Sequence, residues 1–353
     1  MYFPTVDDNN HIIISIEPPI EYKEQKNIIM SRTIKKEEYD EVYEYLNEQN
    51  KMISGVYTLL PKQELAKYMH FDALSVLMRT QIDNSLIGTI LSIPFPIKCE
   101  NDIINHGCTT YLNVHSKLRG HGLCMALIRE LSQFAYEQKL YCSYSLTSFP
   151  LSTKSFEIVS WYRPINIPVS IGLGFSYPNW NQPSKFSQNK VKYNTKCPKK
   201  YVCNQVLSKN VENAYKFYMK INENKKFVFY PDITLFSKWI ENYPTYTVLF
   251  DKKIVGIFSI NSVYCKMENN MEGKLCLPLL FNAYKEHSSN VFKCCIFIAN
   301  ERQYDVLYTH CVGDITRKIL EENNAIETPR KSYFSLYNNS MDLTSEEIYV
   351  PLL

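Results

Sequence analysis

The chain has 353 residues with 39 Lys and Arg against 36 Asp and Glu, a formal charge of +3 that supplies no strong field for gripping polyanions and argues against a dedicated nucleic-acid binder. At 45% hydrophobic and 21% charged it lies in the globular range, which excludes disorder and collagen-like structure, and its length suggests two domains of about 150 residues each. Residues 1–19 carry Asp7 and Asp8 where a secretory leader would carry bases, and the apolar run 12–16 is too short to span a bilayer. The expectation is a cytoplasmic protein without a transmembrane segment. Eleven cysteines with no C-x-x-C pair then read as reduced thiols packed as small hydrophobes. His106-Gly-Cys108 and the pair Cys197 and Cys203 come nearest to metal spacing, but neither has a second ligand pair close in sequence, so no metal is expected.

The first clear helix covers 34–50, where Tyr39, Val42, Tyr43 and Leu46 form one stripe among charged positions. Residues 86–93 follow the turn pair Asp83-Asn84 and stop at Pro94, which predicts a buried strand, and 108–115 is a second β-rich run. Residues 122–138 then turn helical, with Leu123, Leu127, Leu131, Phe134 and Ala135 on one face. Further β-like stretches at 140–147 and 156–161 complete the first half. A polar, aperiodic stretch at 177–200 marks a boundary, placed between a unit at 1–190 and one at 191–353. The second half reads as helices at 211–222 and 235–241, and a hairpin over 245–260 turning at Asp251-Lys252-Lys253. A strand at 275–284, helix at 290–302, strand at 305–311, helix at 314–323 and strand at 332–337 follow. Two α+β units of similar element order suggest a duplicated fold.

Only ten glycines occur in the chain, so Gly120 and Gly122 in Arg119-Gly-His-Gly122 stand out. A strand runs into this loop and a helix leaves it, so the unpaired N–H groups of the helix start would face an anion, with Lys117, Arg119 and His121 as added donors. By itself a Gly-x-Gly before a helix fits a plain turn as well. The pattern R-x-x-G-x-[GA] resembles the pyrophosphate loop of the GNAT acyl-CoA transferases, with Cys124 in the last small position, and implies a coenzyme A ligand.

The flanking blocks extend the resemblance. Leu86-Ile-Gly-Thr-Ile-Leu-Ser-Ile-Pro94 resembles the L-V-G-F-I-S-A-I-P strand of the eukaryotic-type glycylpeptide N-tetradecanoyltransferases, the N-myristoyltransferases. Thr110-Tyr-Leu-Asn-Val-His-Ser-Lys-Leu-Arg119 resembles their N-F-L-C-V-H-K-K-L-R. Tyr144-Ser145 resembles Y-T, and Trp161-Tyr-Arg-Pro-Ile-Asn166 resembles W-H-R-S-L-N, with Phe175 following as in the family. These four blocks cover most of 86–175 in order. Asp305-Val-Leu and Ser335-Leu-Tyr-Asn338 resemble D-V-F and Y-L-Y-N more faintly. The chain is shorter than typical members, and its richness in Asn, Ile, Lys and Tyr resembles A/T-rich genomes such as those of large DNA viruses or protists.

The resemblance implies an α+β fold, a duplicated GNAT-like pair of mixed-sheet halves forming one saddle-shaped sheet with helices around it. The first half would bind acyl-CoA, and the second would contribute the peptide site and the chain end. It implies transfer of a myristoyl group from myristoyl-CoA, a co-substrate rather than a permanent cofactor, to the N-terminal glycine of a peptide or protein by direct attack, the enzyme acting as a monomer. The backbone amides of Tyr111 and Leu112 would form the oxyanion hole, and the carboxylate of Leu353 would be the base. Val114, Lys117, Arg119, Gly120, His121, Gly122, Leu123 and Cys124 would hold coenzyme A, and Ser145 and Tyr162 would contact the peptide. Read from the residues alone, Tyr111 and Leu112 could equally be plain strand, and the apolar tail 349–353 could dock for stability. A terminal carboxylate ordinarily titrates at about 3.3–3.7, and burial would raise it toward a useful base. Thr110 stands where the family has Asn, Ser145 where it has Thr, Tyr162 where it has His, and the acids that favour lysine-containing peptides are missing. Two other readings stay open: a short-chain acyl-CoA transferase of GNAT type, and a non-catalytic binder of acyl-CoA or myristoylated tails.

Overall fold

β-branched and aromatic runs punctuated by turn residues build a single fifteen-stranded mixed sheet in the computed structural model. The structure describes residues 27–353 apart from 52–55, 60–61, 152, 176–192, 194 and 268–270, so Asp7, Asp8, the apolar run 12–16 and most of the expected 177–200 linker lie outside the described residues. In chain order the first half holds β1 Ile28–Arg32, α1 Tyr39–Lys51, β2 Val56–Leu59, α2 Lys62–His70, β3 Leu74–Thr80, β4 Leu86–Cys99, β5 Asp102–Val114, α3 Leu123–Glu137, β6 Cys142–Thr147, β7 Lys154–Pro164 and α4 Ile167–Gly172. The second half holds β8 Tyr201–Gln205, α5 Val211–Asn222, β9 Phe227–Phe229, α6 Ile233–Asn242, β10 Thr245–Phe250, β11 Lys253–Met267 and β12 Glu272–Ala283. It continues with α7 Ser288–Glu301, β13 Val306–His310, α8 Arg317–Glu322, β14 Ile326–Tyr337 and β15 Ile348–Tyr349.

The duplication is visible in the pairing. β4 and β5 form an antiparallel hairpin, α3 crosses over, and β6 returns parallel to β5; β11, β12, α7 and β13 repeat the same path. The last strand of each half then crosses into the other: β14 lies between β6 and β7, and β7 lies between β14 and β13. β2 also pairs with β11, and β9 with β4, so strands from 1–190 and 191–353 interleave in one sheet.

Helix α3 covers one face of the first half, setting Leu123, Ala126, Leu127 and Leu131 against Val76, Met78, Ile90 and Val114. On the other face, α1, α2, α5 and α6 enclose a larger core. At its centre Phe95 meets Phe229 at 5.2 Å and Trp239 meets Tyr243 at 4.5 Å between ring centroids, aromatic pairs worth about 0.5–1.5 kcal/mol each beyond the area they bury. The expected hairpin turn sits at Asp251 and Lys252, whose φ values of 48° and 65° supply the left-handed pair that a tight two-residue turn needs.

β4 does not stop at Pro94 but continues through Pro96 to Cys99. β3 pairs with it only as far as Ser92, and β9 takes over at Ile97, so both prolines fall in a gap where no ladder donor is needed on that side. Helix α8 begins at Arg317 rather than 314, because Thr316 caps it by accepting from the Ile319 amide. Elements β1, β2, α2, β3, α4, β8, β9 and β15 were not marked by periodicity. Most of them are short and find their partners only across the chain.

Candidate active site

The site begins with an irregularity in β5. Thr89 pairs with Asn113 and Leu91 with Thr110, so Ile90 alone faces both Tyr111 and Leu112. This is a β-bulge, which takes main-chain groups out of the ladder. Tyr111 has φ 50°, a left-handed conformation that costs a bulky residue about 1–2 kcal/mol and so needs support. Three contacts supply it. Thr89 Oγ1 donates to the Tyr111 carbonyl at 3.0 Å, the Tyr111 and Tyr68 hydroxyls are 3.2 Å apart, and their rings lie 5.6 Å apart. Burial pushes both hydroxyls far above neutral pH, so neither phenol can serve as a base there. Leu112 is half exposed beside it.

The tail meets this bulge from the sheet face that carries Cys108, Thr110 and Tyr144. Ile348 and Tyr349 form β15, parallel to β9, and Val350 and Pro351 are buried. The Pro351 carbonyl accepts from Tyr144 Oη at 3.1 Å, with Cys108 Sγ at 3.9 Å, and the Leu353 oxygen accepts from Thr110 Oγ1 at 3.4 Å. Thr110 immediately precedes the bulge, so the final residue of the sequence lies against it. Upstream, Tyr349 Oη donates to Asp314 at 3.0 Å, and Asp314 also pairs with Lys225 at 2.9 Å, whose Nζ sits 3.6 Å from the centroid of the Tyr349 ring. Gly313 makes room: a Cβ there would come 2.8 Å from the Tyr349 ring.

On the far side of the bulge, Ser116–Leu118 form a 3-10 turn, Arg119 is extended, and Gly120 and Gly122 take φ 85° and 78° before α3. These left-handed values are what glycine supplies without strain, and a Cβ at either position would meet open space. Helical bonding begins with Ala126 N donating to Gly122 O at 3.2 Å, leaving the amides of residues 123–125 without an intrahelical acceptor at a helix start that has no side-chain cap and no acid. Lys117, Arg119 and His121 are exposed around it. Arg119 Nε donates to Val114 O at 3.2 Å, and buried Gln49 accepts from Ser116 N at 3.0 Å, fixing the loop to β5 and α1.

Thus the Leu353 oxygen lies beside Thr110, the residue before Tyr111 and Leu112, and Lys117, Arg119, Gly120, His121, Gly122 and Cys124 follow one another through the loop and the first turn of α3. Val114 and Leu123 belong to the loop by backbone only, since their side chains are buried under α3. Partial burial raises the Cys124 thiol, which disfavours a thiolate. Ser145 is not brought to the tail. It pairs with Thr109 and Ser335, while its neighbour Tyr144 points to Pro351, so alternation puts Ser145 on the opposite sheet face. Tyr162 is likewise elsewhere, buried with Leu173, Leu275 and Val306, its ring 5.2 Å from Phe175. A small depression lined by Leu279, Asn282, His310, Tyr349 and Leu352 among others borders the tail. Tyr68 and Gln49, which fix the bulge and loop, carry no signal in the sequence, and Thr89 and Tyr144 lie in blocks quoted for the resemblance without a role of their own, because each acts through one long-range contact.

A doubled β-α-β sheet with a glycine-bearing loop between strand and helix gives the chain a GNAT-like fold. Residues 19–154 match the family described as Myristoyl-CoA:protein N-myristoyltransferase, N-terminal domain. Among solved structures, Saccharomyces cerevisiae N-myristoyltransferase with bound myristoyl-CoA superposes with a TM-score of 0.82 at 13% identity, over 99% of this chain and 97% of that one. The yeast enzyme with bound myristoyl-CoA and inhibitors gives 0.80 at 13% identity, over 98% and 92%. A GCN5-related N-acetyltransferase from Anabaena variabilis gives 0.50 at 11% identity, over 87% and 72%. No curated protein sequence matches the chain. Among the described residues no helix is long and apolar enough to cross a membrane.

Proposed function

We propose that the protein transfers a myristoyl group from myristoyl-CoA to the N-terminal glycine amine of a peptide or protein. The observation that carries this reading is the meeting of the Tyr111–Leu112 bulge with the Leu353 oxygen, which lies 3.4 Å from Thr110 Oγ1. The loop 117–124 takes the pyrophosphate of coenzyme A on its amides and cations. The thioester carbonyl points at the amides of Tyr111 and Leu112. In a chain that ends at Leu353, its main-chain oxygen is half of a carboxylate, and that carboxylate removes a proton from the glycine ammonium. The freed amine attacks the carbonyl carbon, the two amides hold the oxyanion, and the C–S bond breaks as the amide nitrogen gives up its second proton to the departing coenzyme A sulfur. Each such donor is worth about 3–4 kcal/mol in the transition state. Direct transfer needs no acyl-enzyme, in keeping with a Cys124 thiol raised by burial.

The test is incubation of the full chain with glycine-starting peptides and acyl-CoA donors of graded length, read by mass spectrometry. A peptide heavier by one C14 chain, formed in preference to acetylated product, is expected. Preference for acetyl-CoA would make this a short-chain transferase, and tight acyl-CoA binding without product at any length would make it a binder. Residues added after Leu353 should abolish transfer while acyl-CoA binding persists; full activity in the extended chain would remove the carboxylate from the mechanism.

A further inference from the structure

Far from this site, on the outer side of the second half, three cysteines converge from three different elements. Cys197 precedes β8, Cys203 lies within it, and Cys294 lies in α7; their sulfur atoms all fall within 4.8 Å of one another. The pair 197 and 203 lacks a second ligand pair close in sequence, and the third thiol arrives from more than ninety positions away. We propose that Cys197, Cys203 and Cys294 form a thiolate site for one zinc ion, with the fourth coordination position left to water or an external ligand.

Geometry favours an ion over simple packing or a disulfide. Zinc–sulfur bonds of about 2.3 Å in a tetrahedron put the sulfurs about 3.8 Å apart, so the present arrangement closes onto an ion with shifts of an ångström or less. A disulfide would need two sulfurs at about 2 Å and would strand the third thiol. Access differs too. Cys294 is fully buried, whereas Cys197 and Cys203 are only half-buried, so the cluster opens outward at one corner as a three-ligand site requires. By contrast Cys99, Cys108, Cys142, Cys265, Cys276 and Cys295 are buried, as packed thiols usually are.

Charge and mechanics agree. Binding a dication releases three thiol protons and leaves one net negative charge, and Lys196, Lys199, Lys200 and Lys293 adjoin the ligands in sequence. β8 is the terminal strand of the sheet and pairs with β10, and of its five residues Val202, Asn204 and Gln205 are exposed while Tyr201 and Cys203 are half-buried. An ion shared with α7 would staple this edge to the helix behind it.

The full chain, reduced with a phosphine, is incubated with Zn²⁺, freed of excess by gel filtration and assayed for zinc by mass spectrometry. About one equivalent should be retained, and Co²⁺ in its place should give sulfur-to-cobalt charge-transfer absorption with the ligand-field bands of a tetrahedral site. Cys203→Ser and Cys197→Ser should each lose the metal and the bands, while Cys311→Ser keeps both. Should the serine variants misfold, alkylation of the wild-type chain decides: zinc should slow modification of Cys197 and Cys203 at least about tenfold, mapped by peptide. No retained zinc and no cobalt bands would overturn the proposal in favour of packed thiols, and unchanged zinc in both serine variants would overturn it by putting the metal elsewhere. A loss of two mass units on mild oxidation, with no metal uptake beforehand, would overturn it in favour of a disulfide.

Discussion

Tyr111 holds a left-handed φ of 50° with a bulky side chain, and the contacts from Thr89 and Tyr68 are what sustain it. If the site works through the main chain, the two contacts should differ in consequence. Tyr111→Phe removes only the hydroxyl contact with Tyr68 and should lower stability by about 1 kcal/mol while leaving turnover within a few-fold of wild type. Thr89→Val removes the bond to the Tyr111 carbonyl, frees the bulge and should lower kcat by about tenfold or more with acyl-CoA affinity little changed. Steady-state kinetics alongside a binding titration distinguish these outcomes. A collapse of kcat in Tyr111→Phe would assign the chemistry to the phenol instead. Nothing in the local sequence marks Thr89, whose side chain matters only because β4 lies beside β5.

The start of α3 is a second scale of organisation, where three helix amides, two glycines, the cations Lys117 and Arg119 and the imidazole of His121 share one loop. Gly122→Ala forces a left-handed alanine and should weaken acyl-CoA binding slightly, whereas Gly122→Asp adds a carboxylate where the pyrophosphate is proposed to sit and should weaken it by at least about tenfold. Equal, unchanged affinity in both would remove the loop from ligand binding. The segment that leads to the tail depends on a different element contact. His106 Nε2 accepts from Asn339 at 2.8 Å while Nδ1 lies 3.1 Å from the Ile104 carbonyl, so the ring is neutral. Burial lowers its pKa from 6.5 to about 4, and burial lowers His310, beside the depression, likewise to about 4. As pH falls below 6.5 the unfolded chain takes up these protons first, so the stability tied to both rings is complete above 6.5 and drains away toward 4, by about 3 kcal/mol for each at the acid end. Urea midpoints measured across that range should fall with pH, and His106→Gln should give a shallower fall. An identical slope in the variant would mean that other groups carry the acid sensitivity.

At the scale of the whole molecule, the halves are bound by exchange of strands: β14 sits between β6 and β7, and β7 between β14 and β13. Cut at 190, the first half would lose the neighbour that completes β6 and would expose ladder edges and core residues such as Tyr144, which packs on Phe334 at 5.6 Å. The fragments 1–190 and 191–353 should therefore show no cooperative thermal transition apart, and regain one when mixed or co-expressed. A separate sharp transition for either fragment would establish an independent domain. The interleaved sheet joins strands from both sides of the boundary read from composition into one structural unit.

Local chemistry determined what was legible beforehand. Helical stripes such as 211–222, the Asp251-Lys252 turn, the glycines at 120 and 122 and the ordered blocks over 86–175 act within a few residues of themselves, so the chain order alone displays them. The tertiary structure decided the rest: the opposite faces of Ser145 and Tyr144, the burial of Tyr162, the bulge under Tyr111, the third thiol at Cys294 and the approach of Leu353 to Thr110. Each of these depends on which strand lies beside which, and strand neighbours in a sheet of exchanged halves are fixed by the burial of one shared core, a property that no short stretch of sequence contains.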